Sequence, residues 1–311
     1  MIVSASRRTD IPAFYSDWFF NRIKEGFVYV KNPMNAHQIS NIPLTPELVD
    51  CIVFWTKDPE PMIPRLSEIG QIPYYFQFTL TGYGTDIEPY VPAKKHIIEV
   101  FQHLSDIVGS HRVIWRFDPL LFNEKYTPEY HLRAFGQIAH ALAGYTEKCV
   151  ISFVDTYEKN KKSLQQMGLR NPDDQLETFL DALVQEATAN HMIVATCAEV
   201  IDLNKHGIIH NSCIDKALIE NIIGCKLDIK KDKTQRPECG CVESIDIGAY
   251  NTCTHGCKYC YANYSITSVI KSSQVYDPKS PLLCGMVQPE DKITDRKVKS
   301  LKILQPNFFD I

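Results

Sequence analysis

The chain has 311 residues, 44% hydrophobic and 23% charged, so it can bury a sizeable core and is not a globally disordered protein. Its 33 basic and 37 acidic residues give a formal net charge of −4. This balance supplies no global field for nucleic acid or an anionic membrane, although a local basic face is compatible with it. No stretch approaches about 18 consecutive apolar residues, and the first residues lack an apolar signal-peptide core. We therefore expect a cytoplasmic protein without a membrane segment.

Short apolar, β-branched runs alternate with amphipathic segments along the chain. The predicted strands cover residues 2–6, 51–56, 74–80, 112–117, 150–155, 192–198 and 242–250. Apolar residues recur at helical spacing between several of them, as in the segment that begins at Thr127-Pro128 and stops at Gly144. This alternation predicts an α/β fold with parallel strands, and we favour a TIM-like βα barrel.

One segment interrupts the alternation. Residues 27–44 contain two apolar runs around the turn signal Asn32-Pro33, which predicts an inserted β-hairpin. The chain has no internal repeat, low-complexity tract or long linker. We therefore expect a barrel body over residues 1–224 and a cysteine-rich C-terminal region over 225–311 that completes the same domain.

Cysteine is the most informative residue type in this chain. There are eleven, an odd number, which together with the missing signal peptide disfavours a disulfide framework. The run Cys253-Thr-His-Gly-Cys257-Lys-Tyr-Cys260 gathers three thiolates on one loop, and Gly256 permits an unusual backbone angle beside the second of them. Three cysteines ligate three irons of a 4Fe-4S cluster and leave the fourth iron open for a substrate or cofactor.

This motif resembles the cluster loop of the radical S-adenosylmethionine (radical SAM) superfamily, in which an aromatic residue, here Tyr259, precedes the last cysteine. The resemblance implies that SAM binds the open iron near Gly256 and Tyr259. It also implies that reductive cleavage of SAM starts radical chemistry on an unknown small-molecule or macromolecular substrate, with a reductant such as flavodoxin or ferredoxin.

The position of the motif differs from that in most of the superfamily, where the loop follows the first barrel strand. Here it follows the last predicted strand, 242–250. We interpret this as a circular permutation of a barrel, complete or partial, in which 242–250 pairs beside 2–6. Many superfamily members also have a Gly-Gly-Glu stretch after the second strand, where this chain has Ser4-Ala-Ser-Arg-Arg-Thr-Asp10, so no SAM contacts are carried over there. The runs SRRTDIPAFY and YNTCTHGCKYCYAN also resemble an uncharacterised bacterial family of domains of unknown function.

A structural zinc site is the alternative interpretation of the same cysteines. Cys257 and Cys260 fit half of a zinc ribbon, and Cys239-Gly-Cys241 can complete four ligands. The protein would then be a barrel hydrolase or a nucleic-acid-processing protein with a structural zinc or iron–sulfur site, or a scaffold whose cysteines staple its C-terminal region.

Further cysteines form a second candidate set. Cys197 stands near the end of a predicted strand, where barrel active sites form, and Cys213 follows shortly after it. With Cys239 and Cys241 they are candidate ligands of an auxiliary iron–sulfur cluster.

Polar residues at predicted strand ends are the candidate catalytic residues, because the carboxyl ends of barrel strands define the pocket. They are Arg7, Arg8, Asp10, Arg116 and Asp118. Arginine forks match carboxylate or phosphate oxygens, so Arg7 and Arg8 are candidates for holding an anionic substrate group. A structural ion pair between Arg116 and Asp118 is the competing interpretation. The basic run from Lys226 to Arg236 keeps nucleic acid open as a partner.

Overall fold

The computed structural model describes residues 1–303 apart from positions 171, 173 and 174. The strands, in chain order, are β1 (Ile2–Ala5), β2 (Phe27–Asn32), β3 (Asn35–Pro43), β4 (Cys51–Thr56), β5 (Tyr74–Thr79), β6 (Val113–Arg116), β7 (Lys148–Ile151), β8 (Ile193–Cys197), β9 (Ile209–Asn211), β10 (Ile245–Asp246) and β11 (Lys292–Asp295). The α-helices are α1 (Ile11–Phe14), α2 (Ser16–Glu25), α3 (Lys94–Val108), α4 (Pro128–Ala141), α5 (Lys161–Gln166), α6 (Leu176–Ala189), α7 (Lys216–Ile223) and α8 (Ile266–Gln274). Short 3-10 helices cover Ile63–Ile69, Ser110–Arg112 and Asn204–His206.

Eight strands form the main sheet in the order β10-β1-β4-β5-β6-β7-β8-β9, and all neighbours in it are parallel. The pairs Val3–Ile245 and Ser4–Asp246 join β1 to β10, which confirms the predicted pairing of the C-terminal strand with the first one. Within the described residues, β10 and β9 are the two ends of this order, and no pairing between them closes the expected barrel. The fold is α/β with an eight-stranded parallel sheet.

Both faces of the main sheet are buried, because alternate side chains of each strand point to opposite faces. One face includes Phe54, Phe76 and Trp115 and packs against α3, α4 and α6; we call it the helix face. The other includes Tyr75 and packs against apolar side chains of the segment 213–242, Cys213 among them; we call it the cysteine face.

Helix α4 shows how local sequence sets an element. The Thr127 side chain accepts a hydrogen bond from the backbone of Tyr130 and caps the helix, and Pro128 occupies its first turn. Phe135 then stacks on Trp115 with ring centres 4.8 Å apart, which docks the helix on the sheet. Among the described residues, no helix combines the length and the apolar character needed to cross a membrane.

A small second sheet has the order β11-β3-β2. Strands β2 and β3 are antiparallel, which confirms the predicted hairpin, and β11 adds to β3 in parallel. The C-terminal region therefore contributes one strand to each sheet, β10 to the main sheet and β11 to the small one.

The last strand of the main sheet is shorter than the predicted 242–250. The Asp246 side chain accepts a hydrogen bond from the Gly248 backbone at 3.0 Å and ends the strand in a turn. Before the strand, the Val242 backbone donates to Ile214 instead of joining the sheet. After the cysteine motif, the Ser265 side chain accepts a hydrogen bond from the Ser268 backbone and caps α8.

Candidate metal centre

The three-cysteine motif lies in the loop that follows β10, at the carboxyl edge of the main sheet. Because β10, β1 and β4 are parallel, this loop meets the segments that follow the other two strands. Asp10, which follows β1, accepts hydrogen bonds from His255 Nε2 at 2.9 Å and from the Lys57 backbone at 2.7 Å. Its other oxygen caps α1 through the Ala13 backbone N–H at 3.0 Å. Asp10 thus ties the motif loop to two strand ends and is a positioning residue here.

The loop backbone turns sharply at the second cysteine. Gly256 has a φ of +69°, which favours glycine, and a Cβ at this position would lie 2.8 Å from the ring of Tyr90. The His255 carbonyl accepts a hydrogen bond from the Tyr90 backbone at 3.3 Å, and the Lys258 backbone donates to Ile87 at 3.0 Å. The loop is therefore pressed against the segment that follows β5, and only glycine fits at 256.

Hydrogen-bond donors of the backbone point at the sulfur atoms of the motif. The Ala262 N–H donates to Cys260 Sγ at 3.3 Å, and a backbone N–H also bonds to Cys253. Burial raises the pKa of all three thiols, that of Cys257 to about 12, although the nearby Lys57 acts in the opposite direction on Cys257 and Cys260. Such N–H donors stabilise the thiolate form that a metal requires.

A buried carboxylate holds the cation beside these thiols. Glu88 is 2% exposed, and its oxygens lie 2.7 Å from Lys57 Nζ and 2.6 Å from Lys94 Nζ. Burial alone would raise the pKa of Glu88, but the two ammonium groups outweigh it and lower this pKa to about 2. Burial would likewise lower the pKa of Lys57, but Glu88 raises it to about 12. The hydroxyl of Tyr259 also donates to Glu88 at 2.5 Å, so this predicted cofactor-side residue joins the motif to the ion-pair network. No motif in the sequence marked Glu88, which stands in a loop.

Arg7 and Arg8 line a groove of about 870 Å³ beside β10. The Arg8 guanidinium lies 3.8 Å from the Asp246 carboxylate and 5.2 Å from the centre of the Tyr250 ring. Tyr250 and Tyr261, which flank the cysteine motif, line the same groove. Basic residues outnumber acidic ones along it, the basic ones being Arg7, Arg8, Lys31, Lys233, Arg296, Lys297 and Lys299, and the acidic ones Asp232, Glu243 and Asp246. The groove is thus lined by an excess of basic residues, and two tyrosines that flank the motif lie in its wall.

The structure places Arg116 and Asp118 against the second cysteine set. Their side chains pair through Arg116 Nε and Asp118 Oδ1 at 3.0 Å, and through a second contact of the same pair. The Arg116 Nη1 also donates to Cys213 Sγ at 2.8 Å and to Gln77 Oε1 at 3.2 Å. The structural ion pair between Arg116 and Asp118, which was the competing interpretation, is present. It leaves Nη1 of Arg116 available to donate to the Cys213 thiol.

The four cysteines of the second set lie side by side. The sulfurs of Cys197 and Cys213 are 2.8 Å apart, and Cys213 and Cys239 each form a hydrogen bond with the thiol of Cys241. The hydrogen bonds from Cys197 and Cys241, together with the Arg116 guanidinium, lower the pKa of Cys213 well below its usual value. The contact with Cys241 lowers the pKa of Cys239 to about 6.

Sulfur spacing distinguishes two kinds of metal site. One tetrahedral zinc ion with Zn–S bonds of about 2.3 Å needs sulfurs roughly 3.8 Å apart. Within the described part of the chain, the one group of three possible ligand atoms lying mutually within 4.8 Å is Asp58, Glu60 and His96. Neither cysteine set contains such a trio, so neither gathers three sulfurs around one point as a single zinc ion requires.

The chain matches no curated protein and no solved structure. One family model matches residues 2–262, a range that runs from β1 through the three-cysteine motif. This match covers most of the 311 residues. The chain therefore belongs to the family described as Domain of unknown function (DUF1848).

Proposed function

We propose that this protein is a radical SAM-type enzyme with a 4Fe-4S cluster held by Cys253, Cys257 and Cys260. The observation that carries the proposal is one loop that presents three half-buried cysteines, whose sulfurs do not all lie within 4.8 Å of one another, with N–H donors aimed at sulfur. Three cysteine ligands leave one iron open. When bound, the cluster and SAM would supply a 5′-deoxyadenosyl radical that abstracts a hydrogen atom from the substrate.

The residues around the loop position and shield this centre. Lys57 offsets the negative charge of thiolate ligands, and Glu88 keeps it charged and in place. Asp10 and His255 hold the loop on the sheet edge. The Lys57 ammonium lies 5.6 Å from the centre of the Tyr259 ring.

The substrate would approach through the basic groove and carry a negative charge. Arg7 and Arg8 line this groove and closely follow β1 in the chain. Guanidinium groups bind phosphate or carboxylate in two-point contacts. This leaves an anionic small molecule and a nucleic acid as substrate classes. A flavodoxin or ferredoxin would supply the electron.

The parallel strand order supports a permuted partial barrel as the finer description of the fold. Strand β10 lies at the β1 edge of the sheet, although it comes last of the eight strands in the chain. The local order of strand, cysteine loop and helix would then be that of the radical SAM superfamily. This unit would stand near the C-terminal end of the chain instead of near its beginning.

The test is the metal content of anaerobically purified protein and its cleavage of SAM after reduction with dithionite. We expect a brown protein that absorbs near roughly 400 nm, contains at least about four irons with matching sulfide, and forms 5′-deoxyadenosine. Cys257→Ala should lose about four irons and reduce 5′-deoxyadenosine to background. The matched control is Cys225→Ala, which changes a partly buried cysteine outside both sets and should keep both properties.

A colourless protein with about one zinc and no SAM cleavage would contradict the proposal. That result would favour the alternative, a hydrolase or nucleic-acid-processing protein with a structural zinc. A brown protein that forms no 5′-deoxyadenosine would retain the cluster and overturn the radical chemistry.

A further inference from the structure

Three separate chain segments bring the second cysteine set together on the cysteine face. Cys197 ends β8, and its backbone is paired with Asn211 at the end of β9, so Cys213 follows directly beside it. The third segment, Cys239-Gly-Cys241, packs so closely on this strand end that a Cβ on Gly240 would lie 2.5 Å from Ser212 Oγ. Glycine between the two cysteines is what allows this approach.

The four sulfurs form a continuous series of contacts, and three of the four cysteines are buried. They run from Cys197 to Cys213, then to Cys241, and then to Cys239. The side chains of Cys213, Cys239 and Cys241 belong to residues that are 4%, 7% and 2% exposed. In the described residues this series contains no trio of sulfurs mutually within 4.8 Å. The set is thus an extended row of two adjoining pairs and not a compact tetrahedron.

We propose that Cys197, Cys213, Cys239 and Cys241 bind a second iron–sulfur cluster. A donor set made of thiols alone selects zinc or an iron–sulfur cluster. A single zinc ion requires one compact tetrahedron, whereas a cluster distributes its cysteines over two or more irons. The extended row fits the second case.

Two arginines supply the positive charge that such a cluster needs inside the protein. Arg116 donates to Cys213 Sγ at 2.8 Å, and Asp118 holds its guanidinium in place. Arg7 lies within electrostatic range of Cys241 and Cys213. A cluster with four thiolates is an anion, and nearby guanidinium groups stabilise it in a low-dielectric site. Four cysteine ligands also leave no open iron, so this centre would not itself bind SAM.

The inference does not depend on the three-cysteine loop, and the test separates the two. Full-length protein is purified without oxygen as wild type, as Cys253→Ala/Cys257→Ala/Cys260→Ala, and as Cys239→Ala/Cys241→Ala. Iron, sulfide and zinc are measured, and electron paramagnetic resonance spectra are recorded after reduction. The control is again Cys225→Ala.

We expect the triple variant to retain about two to four irons with equal sulfide and a reduced-state signal of its own. The double variant should lose this iron and this signal but keep the iron of the three-cysteine loop. A triple variant that folds, as judged by circular dichroism, yet contains no iron and sulfide would overturn the inference. So would stoichiometric zinc in it, or a disulfide between Cys197 and Cys213 found by mass spectrometry.

Two further outcomes remain decisive. If the double variant does not fold, the triple variant alone gives the answer. If the triple variant keeps all the iron of the wild type, the second cluster stands and the proposed function fails.

Discussion

Single residues decide how the cysteine loop is held. Asp10 joins the loop to the ends of β1 and β4, and Glu88 joins Tyr259 to two lysines. Gly256 allows the loop to lie against Tyr90. These contacts hold the three cysteines on an ordered loop. Preorganisation lowers the conformational entropy lost when ligands are fixed around a metal.

Gly256→Ala should weaken the motif loop by two effects. A side chain at φ +69° is strained by about 1 kcal/mol, and the added Cβ would also meet the Tyr90 ring at 2.8 Å. We expect a lower iron content per chain and a loss of unfolding free energy greater than about 1 kcal/mol, measured by denaturant titration.

Gly285→Ala is the matched control for this change. Gly285 has a φ of +84° but no atom within 4 Å of an added Cβ, so it reports the backbone strain alone. Iron content should be unchanged in this variant. Equal effects of the two substitutions on stability and iron content would show that the contact with Tyr90 does not position the loop.

At the scale of elements, helix α4 is attached to the loops at the sheet edge by a buried histidine. His131 is 1% exposed, its Nε2 hydrogen-bonds to the Leu121 carbonyl at 2.8 Å, and its ring contacts those of Tyr83, Phe117 and Phe122. Burial lowers the pKa of His131 to about 4, more than the hydrogen bond to Leu121 raises it. The ring is therefore neutral in the folded protein at pH values where it is charged in the unfolded chain.

This histidine should make stability fall in acid. Its contribution is complete above its ordinary pKa of 6.5 and is lost as the pH falls toward about 4, because only the unfolded chain binds the proton in that interval. The pKa difference corresponds to a loss of about 3 kcal/mol. His131→Gln should flatten the pH dependence of the unfolding free energy between pH 6.5 and 4, whereas His140→Gln, at an exposed site on the same helix, should preserve it. An unchanged slope in His131→Gln would show that other groups produce the acid loss.

At the scale of the whole molecule, the two ends of the described chain meet. The Met1 amino group donates to the Leu48 carbonyl at 2.7 Å and to the Lys299 carbonyl at 2.9 Å. Asp50 binds the same amino group and accepts a hydrogen bond from Ser300 at 2.6 Å. Residues 299 and 300 therefore lie beside Met1, at the start of β1. A circular permutation requires such proximity, because it joins these two parts of the chain.

A permuted chain should fold and bind the same cofactor. We expect protein that begins at Thr234 and joins residue 303 to Met1 through a short glycine–serine linker to unfold cooperatively with wild-type iron content. The new ends fall between exposed residues 233 and 234, and β10 would then precede β1 in the chain. A permutant opened within β5, which is paired on both sides, is the control and should not fold. Failure of the first permutant in the same manner as the control would contradict this interpretation.

Local signals were enough to predict several elements from the amino-acid sequence. Strand β4 was predicted with its observed bounds, because an apolar β-branched run buried on both faces leaves no ambiguity of period. The start of α4 was predicted from a cap and a proline. Strand β9 was not predicted, because three residues are too few to show an alternation of apolar and polar side chains.

Tertiary structure decided what depends on residues far apart in the chain. The second cysteine set comes together only because β8 pairs with β9 and Gly240 packs on Ser212. Asp10, a candidate catalytic residue by its strand-end position, is engaged by His255, 245 residues away. Glu88 has no local motif, and its role follows from the two lysines that the fold places on its oxygens. Charge and hydrogen-bond partners depend on distances in space, and sequence spacing reports such distances only within a single element or loop.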